Sequence, residues 1–297
     1  MLTLSALSAA CAGDPPAASG ATTPAPGATL PAASSTNPAE GVWRPAPGTT
    51  WQWQITGTVD TSVSLAAMFD IDLQDAVPSE QTVTVPGFGS VTWSKGDNAG
   101  VVEKLHSLGK KVVCYLDSGA YESYRPDAKL FPASVIGNGT GWRDEHWLDI
   151  RPVSWPLFAP IIWARMDLAR SIGCDGVEPD QNNPWGNDPG FPISLADQKA
   201  WYLQVAREGH LRHLSVGQKN GIDTTDADTV AAFDWDLNEE CFRYSECGAL
   251  SQYVVAGKAV FQVEYDGSPA TFCPQARELG FSSMKKDRDL GAWRLAC

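Results

Sequence analysis

Apolar runs with strand character alternate with helical patterns along most of this chain. Trp51-Gln52-Trp53-Gln54-Ile55 alternates and stops before Gly57, and Met68-Phe69-Asp70-Ile71-Asp72 follows. A Pro/Gly-broken excursion, with a hairpin expected around Gly87 and Gly89, leads to a helix near Ala99–Leu108. There Val101, Val102, Leu105 and Leu108 have helical spacing, and Gly109 is a stop. Val112-Val113-Cys114-Tyr115-Leu116-Asp117 reads as a buried strand ending in an acid, and Trp147-Leu148-Asp149-Ile150 as a short strand. Phe158–Ile172 reads as a helix with Ile161, Ile162, Arg165, Leu168, Ala169 and Ile172 on its inward stripe, ended by Gly173. A short strand-like run after Gly173 precedes a helix at Asp197–Glu208 and a strand with polar loop at Leu214–Asn220. A short helix at Asp226–Ala232, strands at Phe233–Leu237 and Val260–Tyr265, a helix near Ala270–Leu279 and a strand at Phe281–Met284 complete the pattern.

Apolar strands between amphipathic helices predict a parallel sheet covered by helices, an α/β fold. Eight or nine strands, with no glycine-rich phosphate turn after the first, favour a (β/α)8 TIM-type barrel over an open sheet. In a parallel barrel the C-terminal strand ends share one face. Here those ends carry Asp72, Asp117, Asp149 with Arg151, Glu178 with Asp180, Lys219 with Asn220, Glu239 with Glu240, and Glu264 with Asp266. Any one of them is explained as a helix cap or a solvated loop residue. Charged groups at nearly every strand end are better explained as a site.

The densest stretch is Gly173–Asn183, where Asp175, Glu178 and Asp180 lie within six residues. Glycosidic cleavage needs a proton donor and an opposing carboxylate, and neighbouring carboxylates separate their own pKa values. Aromatic rings suit sugar faces. Of twelve tryptophans, Trp142, Trp147, Trp155 and Trp185 fall in the central loops, and Trp185, just after Asp180, is the expected sugar platform.

Composition refines the boundaries. Residues 1–11 form a short apolar run closing on Ser8-Ala9-Ala10-Cys11, similar to a lipoprotein signal, although no Lys or Arg precedes it. Residues 12–40, rich in Ala, Pro, Gly, Ser and Thr, read as a flexible linker, leaving 41–297 as one folded domain. A secreted or cell-surface lipoprotein is the expectation, attached to the membrane through a lipidated Cys11, and a monomer. The remaining six cysteines (Cys114, Cys174, Cys241, Cys247, Cys273 and Cys297) invite disulfides in an exported chain, with Cys241 and Cys247 placed to clip one loop and Cys297 to reach Cys273. No CxxC and only four histidines argue against a metal, and no cofactor is expected. A net charge of −13 argues against nucleic acid and is compatible with a cationic substrate.

Several segments in register resemble the endo-α-1,4-polygalactosaminidase family, glycoside hydrolase family 114. They are Trp51-Gln52-Trp53-Gln54, Asp70-Ile71-Asp72, Cys114-Tyr115-Leu116-Asp117-Ser118-Gly119 and Glu145-His146-Trp147-Leu148-Asp149-Ile150-Arg151. Asp175-Gly176-Val177-Glu178-Pro179-Asp180, Lys219-Asn220, Asn238-Glu239-Glu240-Cys241 and Val263-Glu264-Tyr265 continue the series. The resemblance runs from about Trp43 to Tyr265 and is weakest beyond. It implies internal cleavage of an α-1,4-linked galactosamine polysaccharide, a cationic polymer when deacetylated. It also implies Asp180 as nucleophile or base and Glu239 as acid. Asp72, Asp117, Glu178, Trp185, Lys219, Asn220, Glu240, Glu264 and Tyr265 are then the expected substrate-binding residues. Gln181 departs from the family's usual Asn. The rival readings are a barrel glycosidase acting on another α-glycan and a non-catalytic carbohydrate-binding lipoprotein.

Overall fold

The structure, a computed structural model, describes residues 41–297. The expected signal with Cys11 and the linker lie outside the described residues. Eight parallel strands follow one another around the sheet in chain order. They are β1 (Trp51–Gln54), β2 (Met68–Asp72), β3 (Lys111–Asp117), β4 (Gly176–Asp180), β5 (Ser215–Lys219), β6 (Trp235–Glu239), β7 (Val260–Glu264) and β8 (Ser282–Lys285). A last short strand, Leu295–Ala296, pairs antiparallel with β8.

Among the described residues no backbone ladder joins β8 to β1; the seam is crossed in other ways. Trp51 Nε1 donates to the Ser282 carbonyl at 2.8 Å, and Gln52 Nε2 to the Ala292 carbonyl at 2.8 Å. The Ile55 amide donates to the Leu290 carbonyl at 3.2 Å, and the Arg294 guanidinium to the Trp51 carbonyl. The segment after β8 therefore wedges the barrel shut.

Helices α1 (Val101–Ser107), α2 (Ala159–Ser171), α3 (Leu195–Leu211), α4 (Ala227–Ala232) and α5 (Pro269–Leu279) match the periodic stretches of the sequence. Ser194 and Asp197 form a capping box at the start of α3, and Asp226 caps α4. Between β2 and β3 the expected hairpin pairs Gln81–Val85 with Gly89–Trp93.

Two apolar layers follow from the two faces of each strand. One lies between sheet and helices. The other fills the barrel with Trp51, Trp53, Met68, Val113, Trp235, Leu237, Phe261, Val263 and Met284. Gly217 is required here, because a Cβ would run into the Trp235 ring. This aromatic plug closes the barrel below and leaves open the end where the strands finish.

One expected element belongs elsewhere. The strand around Trp147 spans Glu145–Leu148 and is the middle of a three-stranded antiparallel sheet with Ala120–Glu122 and Ile136–Gly139. It follows β3 with no helix long enough for a parallel crossover, so it folds back instead of joining the barrel. Asp149 is consequently not at the barrel mouth; it pairs with Arg151 at 2.7 Å and accepts from Ser154 Oγ at 2.6 Å.

Three disulfides lock the fold: Cys114–Cys174, Cys241–Cys247 and Cys273–Cys297. The first ties β3 to the residues entering β4, and the second closes the loop that leaves β6.

Candidate active site

A cavity of about 850 Å³ opens at the C-terminal ends of the strands. Its floor is organised by one ammonium group. Lys219, the last residue of β5, is 1% exposed, and its Nζ lies 2.6 Å from Glu178 Oε1, 3.0 Å from Asp180 Oδ2 and 3.5 Å from Glu239 Oε2. The Trp53 ring lies 4.7 Å from the same nitrogen. Burial works against the charge on Lys219, but Asp180, Glu178 and Glu239 outweigh it and hold its pKa well above the ordinary lysine value.

Below this cation Glu178 also accepts from Trp53 Nε1 at 2.9 Å. Beneath it Asp70 is fully buried, and neither of its carboxyl oxygens meets a hydrogen-bond donor. Burial, reinforced by Glu178, raises the Asp70 pKa well above the carboxylate range, which favours the neutral acid beside Glu178. Glu178 is itself raised to about 7, by burial and the push of Asp180 against the pull of Lys219.

Above the cation stand the two expected catalytic carboxylates. Asp180 ends β4, and the Ser118 and Gly119 amides donate to its backbone carbonyl at 3.0 and 3.1 Å. Glu239 ends β6; it accepts from Asn220 Nδ2 at 2.8 Å and from the Tyr265 hydroxyl. Burial pushes Glu239 upward, but Lys219 and these two hydrogen bonds prevail and lower its pKa, leaving it ionised. Oxygens at 3.0 and 3.5 Å from one nitrogen are no more than 6.5 Å apart, so Asp180 and Glu239 flank a common point.

The backbone leaves all three strands alike. Gln181, Asn220 and Glu240, each directly after its strand, adopt φ of 59°, 50° and 62°. Left-handed non-glycine residues are strained, and here they turn the chain immediately past Asp180, Lys219 and Glu239. Asn220 uses the turn to grip Glu239 twice, since its Oδ1 also accepts from the Glu239 amide at 2.9 Å.

The other expected binding residues divide. Trp185, 40% exposed, stands on the cavity wall, as do Asn220, Glu240 and Tyr265. Asp72 reaches the wall too, but Arg125 holds it in a two-pronged pair at 2.7 and 3.0 Å. Arg243 and Arg288 neutralise Glu240 at 2.7 and 2.9 Å. Glu178, Asp117 and Glu264 do not line the cavity. Glu178 lies a layer below. Asp117 is fully buried, and burial with Glu122, Glu145 and Asp180 raises its pKa far above the carboxylate range. Glu264 is consumed by the Phe242 amide at 3.0 Å and Gln262 Nε2 at 2.7 Å. Lys219 lines the cavity but is engaged by the three acids.

Sequence reading missed residues on the excursion after β3 and on the segment after β8. Tyr124, Thr140, Trp142 and Glu145 come from the first, Arg288 and Asp289 from the second. Among the described residues no cluster of His, Cys, Asp and Glu has the geometry of a metal site.

A model of glycoside-hydrolase family GH114 matches residues 32–297. The crystal structure of Aspergillus fumigatus Ega3 in complex with galactosamine superposes with a TM-score of 0.71 at 31% identity, covering 86% of this chain and 97% of that one. The glycoside hydrolase domain of PelA from Pseudomonas aeruginosa superposes with a TM-score of 0.60 at 11% identity, covering 84% and 98%, a likeness of fold. No curated protein matches the sequence.

Proposed function

The chain belongs to glycoside-hydrolase family GH114, and we propose that it cuts an α-1,4-linked galactosamine polysaccharide internally, with Asp180 and Glu239 as the reacting carboxylates. The observation that carries this reading is their common engagement by Lys219 on the floor of an open cavity. Ega3, solved with galactosamine, supports the choice of sugar. An open cleft with Trp185 and Trp142 exposed on its wall suits a long chain passing through, hence internal cleavage.

The upper bound of 6.5 Å between the nearest oxygens favours a retaining enzyme, whose carboxyl groups stand about 5–5.5 Å apart, over an inverting one that leaves room for water. In the retaining scheme Asp180 attacks the anomeric carbon while Glu239 protonates the departing oxygen. Water then releases the sugar, with Glu239 as base. The lowered pKa of Glu239 favours a second assignment, with the roles exchanged, because a nucleophile has to be ionised.

The test is Asp180→Asn and Glu239→Gln on galactosamine polymer, with starch as the control glycan. Each variant is expected to lose several powers of ten in kcat with its fold intact. Turnover within tenfold of wild type in either variant overturns the pair, and cleavage of starch in preference to galactosamine polymer overturns the substrate. Azide added to alanine variants separates the two role assignments: the variant that yields a glycosyl azide of inverted anomeric configuration has lost the nucleophile. Three disulfides support export to an oxidising compartment. Lipidation at Cys11 is tested by labelling cells with a fatty-acid analogue, where a Cys11→Ser variant without label supports the anchor.

A further inference from the structure

In a parallel barrel the strand starts share the face opposite the cavity. Exposed apolar side chains recur on that face. Leu65 lies just before β2, Leu108 before β3, Leu211 before β5 and Val255 before β7, and they are 80%, 49%, 47% and 89% exposed. One exposed leucine is ordinary; one at each of four strand entrances is a property of the face. Side-chain contacts join three of the four positions into one surface. Lys110 Nζ donates to the Ser64 carbonyl at 2.6 Å, linking the Leu65 loop to the turn after Leu108. A Cβ on Gly173, after α2, would lie 3.9 Å from the His106 ring of α1, and Arg212, next to Leu211, reaches Asp167 of α2 at 2.7 Å.

The same end carries cations without partners. Lys104 and Arg170 lie in the last turns of α1 and α2, and Arg207 lies a turn before the end of α3. All three are exposed, and no ion pair or side-chain hydrogen bond among the described residues includes them. The acids at this end are mostly paired: Asp175 with Lys111 at 2.6 Å, Asp167 and Glu208 with Arg212 at 2.7 and 2.8 Å, and Asp234 with Arg44 at 3.0 Å. Glu103 belongs to the first turn of α1, and the exposed Glu278 closes α5, across the barrel from α2 and α3. A chain of net charge −13 therefore has a locally positive face where its strands begin.

The described chain also enters the domain at this end. The Ala259 amide, just before β7, donates to the Pro45 carbonyl at 2.9 Å, and Arg44 meets Asp234 just before β6. The linker and Cys11 expected from the sequence join the domain here. We propose, beyond the hydrolytic reading and independently of it, that this face docks on an anionic phospholipid surface. The leucines enter the headgroup layer, Lys104, Arg170 and Arg207 meet the phosphates, and the cavity opens away from the membrane. Charge selects this partner. Screening confines the interaction to about 8–10 Å, so the lipid surface meets the cations of this face and not the acids at the mouth. Exposed apolar side chains beside cations suit a lipid interface, whereas a soluble polyanion gains nothing from the leucines.

The experiment uses the full chain carrying Cys11→Ser, so that no acyl chain contributes. Co-sedimentation is measured with vesicles of phosphatidylcholine alone and of phosphatidylcholine mixed with phosphatidylglycerol. Binding to the mixed vesicles is expected to be tighter by about tenfold or more. Adding Lys104→Gln, Arg170→Gln and Arg207→Gln together should weaken it about a hundredfold, at about fivefold for each cation, with Tm unchanged. An environment-sensitive dye on Leu108→Cys should shift to the blue on the mixed vesicles, and the same dye on Trp142→Cys, at the cavity wall, should not. No binding to the mixed vesicles, equal affinity for the two vesicle types, or a triple variant that binds as tightly as its parent overturns the docking. A blue shift at Trp142→Cys and none at Leu108→Cys overturns the orientation. Binding to dextran sulfate as tight as to the mixed vesicles, with no shift at Leu108→Cys, marks a face for soluble polyanions and overturns the lipid partner. None of these readings depends on hydrolysis, so failure here and failure of the proposed function are separate results.

Discussion

Replacing Lys219 by methionine tests whether one ammonium organises the site. Methionine fills much the same space against Trp53 and removes only the charge. Glu178, Asp180 and Glu239 are then left facing one another without compensation. Removing one partner of a buried pair destabilises by about 3–5 kcal/mol. For a domain of this size that corresponds to a fall in Tm of roughly 6–20 °C.

The pH dependence supplies the sharper check. The Lys219 pKa is raised, so its contribution is complete below the ordinary lysine value and disappears as pH climbs through the folded value. The Glu239 pKa is lowered, so its contribution exists above the ordinary carboxylate value and is lost on acidification. The Glu178 pKa is raised to about 7, so its contribution is complete below the ordinary glutamate value and lost as pH rises through 7. Without Lys219 the upward push on Glu178 grows. The variant is therefore expected to be most compromised between pH 7 and 9 and to approach wild type towards pH 5, where the acids take up protons. Urea denaturation across that range measures it. A loss under about 1 kcal/mol at pH 7, or the same loss at pH 5 and pH 8, refutes the reasoning.

Other outcomes follow from the same geometry. Tyr265→Phe removes the hydroxyl that donates to Glu239, and kcat is expected to fall about ten- to a hundredfold while the Glu239 pKa rises, moving the corresponding limb of the pH–rate profile upward. Trp185→Ala should raise KM roughly threefold to tenfold with little change in kcat, as read from steady-state kinetics. Removing Cys114–Cys174, which spans 60 residues, should destabilise by about 4 kcal/mol, against about 2 kcal/mol for Cys241–Cys247, which spans 6; chemical denaturation of the two double-alanine variants gives the comparison.

The barrel is legible in the sequence because its strands are continuous apolar runs broken by strong stops, and helices α2 and α3 have long, regular stripes. Asp180 and Glu239 are legible for the same reason: each is the last residue of its strand. What the one-dimensional pattern does not give is depth. Glu178 and Asp180 are two residues apart, so both side chains face the barrel interior, yet the rise of a strand puts Glu178 one layer below, under Lys219. Glu264 is likewise turned to a backbone amide by the chain that leaves β6. Glu145 is hidden by a topological error, since a strand counted into the barrel would not bring its first residue to the mouth. Arg288 lies on a segment with no periodic signal at all.

This difference in depth separates two populations of acid that look alike in the sequence. The inner population is Asp70, Glu178, Asp180 and Glu239; one lysine gathers the last three, burial favours the neutral form of the first, and their electrostatic influence is largely spent within the floor. The outer population is the exposed Asp223, Glu246 and Asp289, all on the cavity wall and none in an ion pair among the described residues. A cationic polymer approaching the mouth meets the outer set first. The attraction expected from the overall charge of −13 therefore belongs to residues that the strand ends do not supply. Because these outer carboxylates face solvent, salt screens them, whereas the buried lysine cluster is screened far less. Raising ionic strength from about 0.05 to 0.5 M should thus raise KM several-fold on free-amine polymer and leave kcat almost unchanged. If instead kcat falls and KM holds, the salt-sensitive charges are those of the floor, and the division into two populations is wrong.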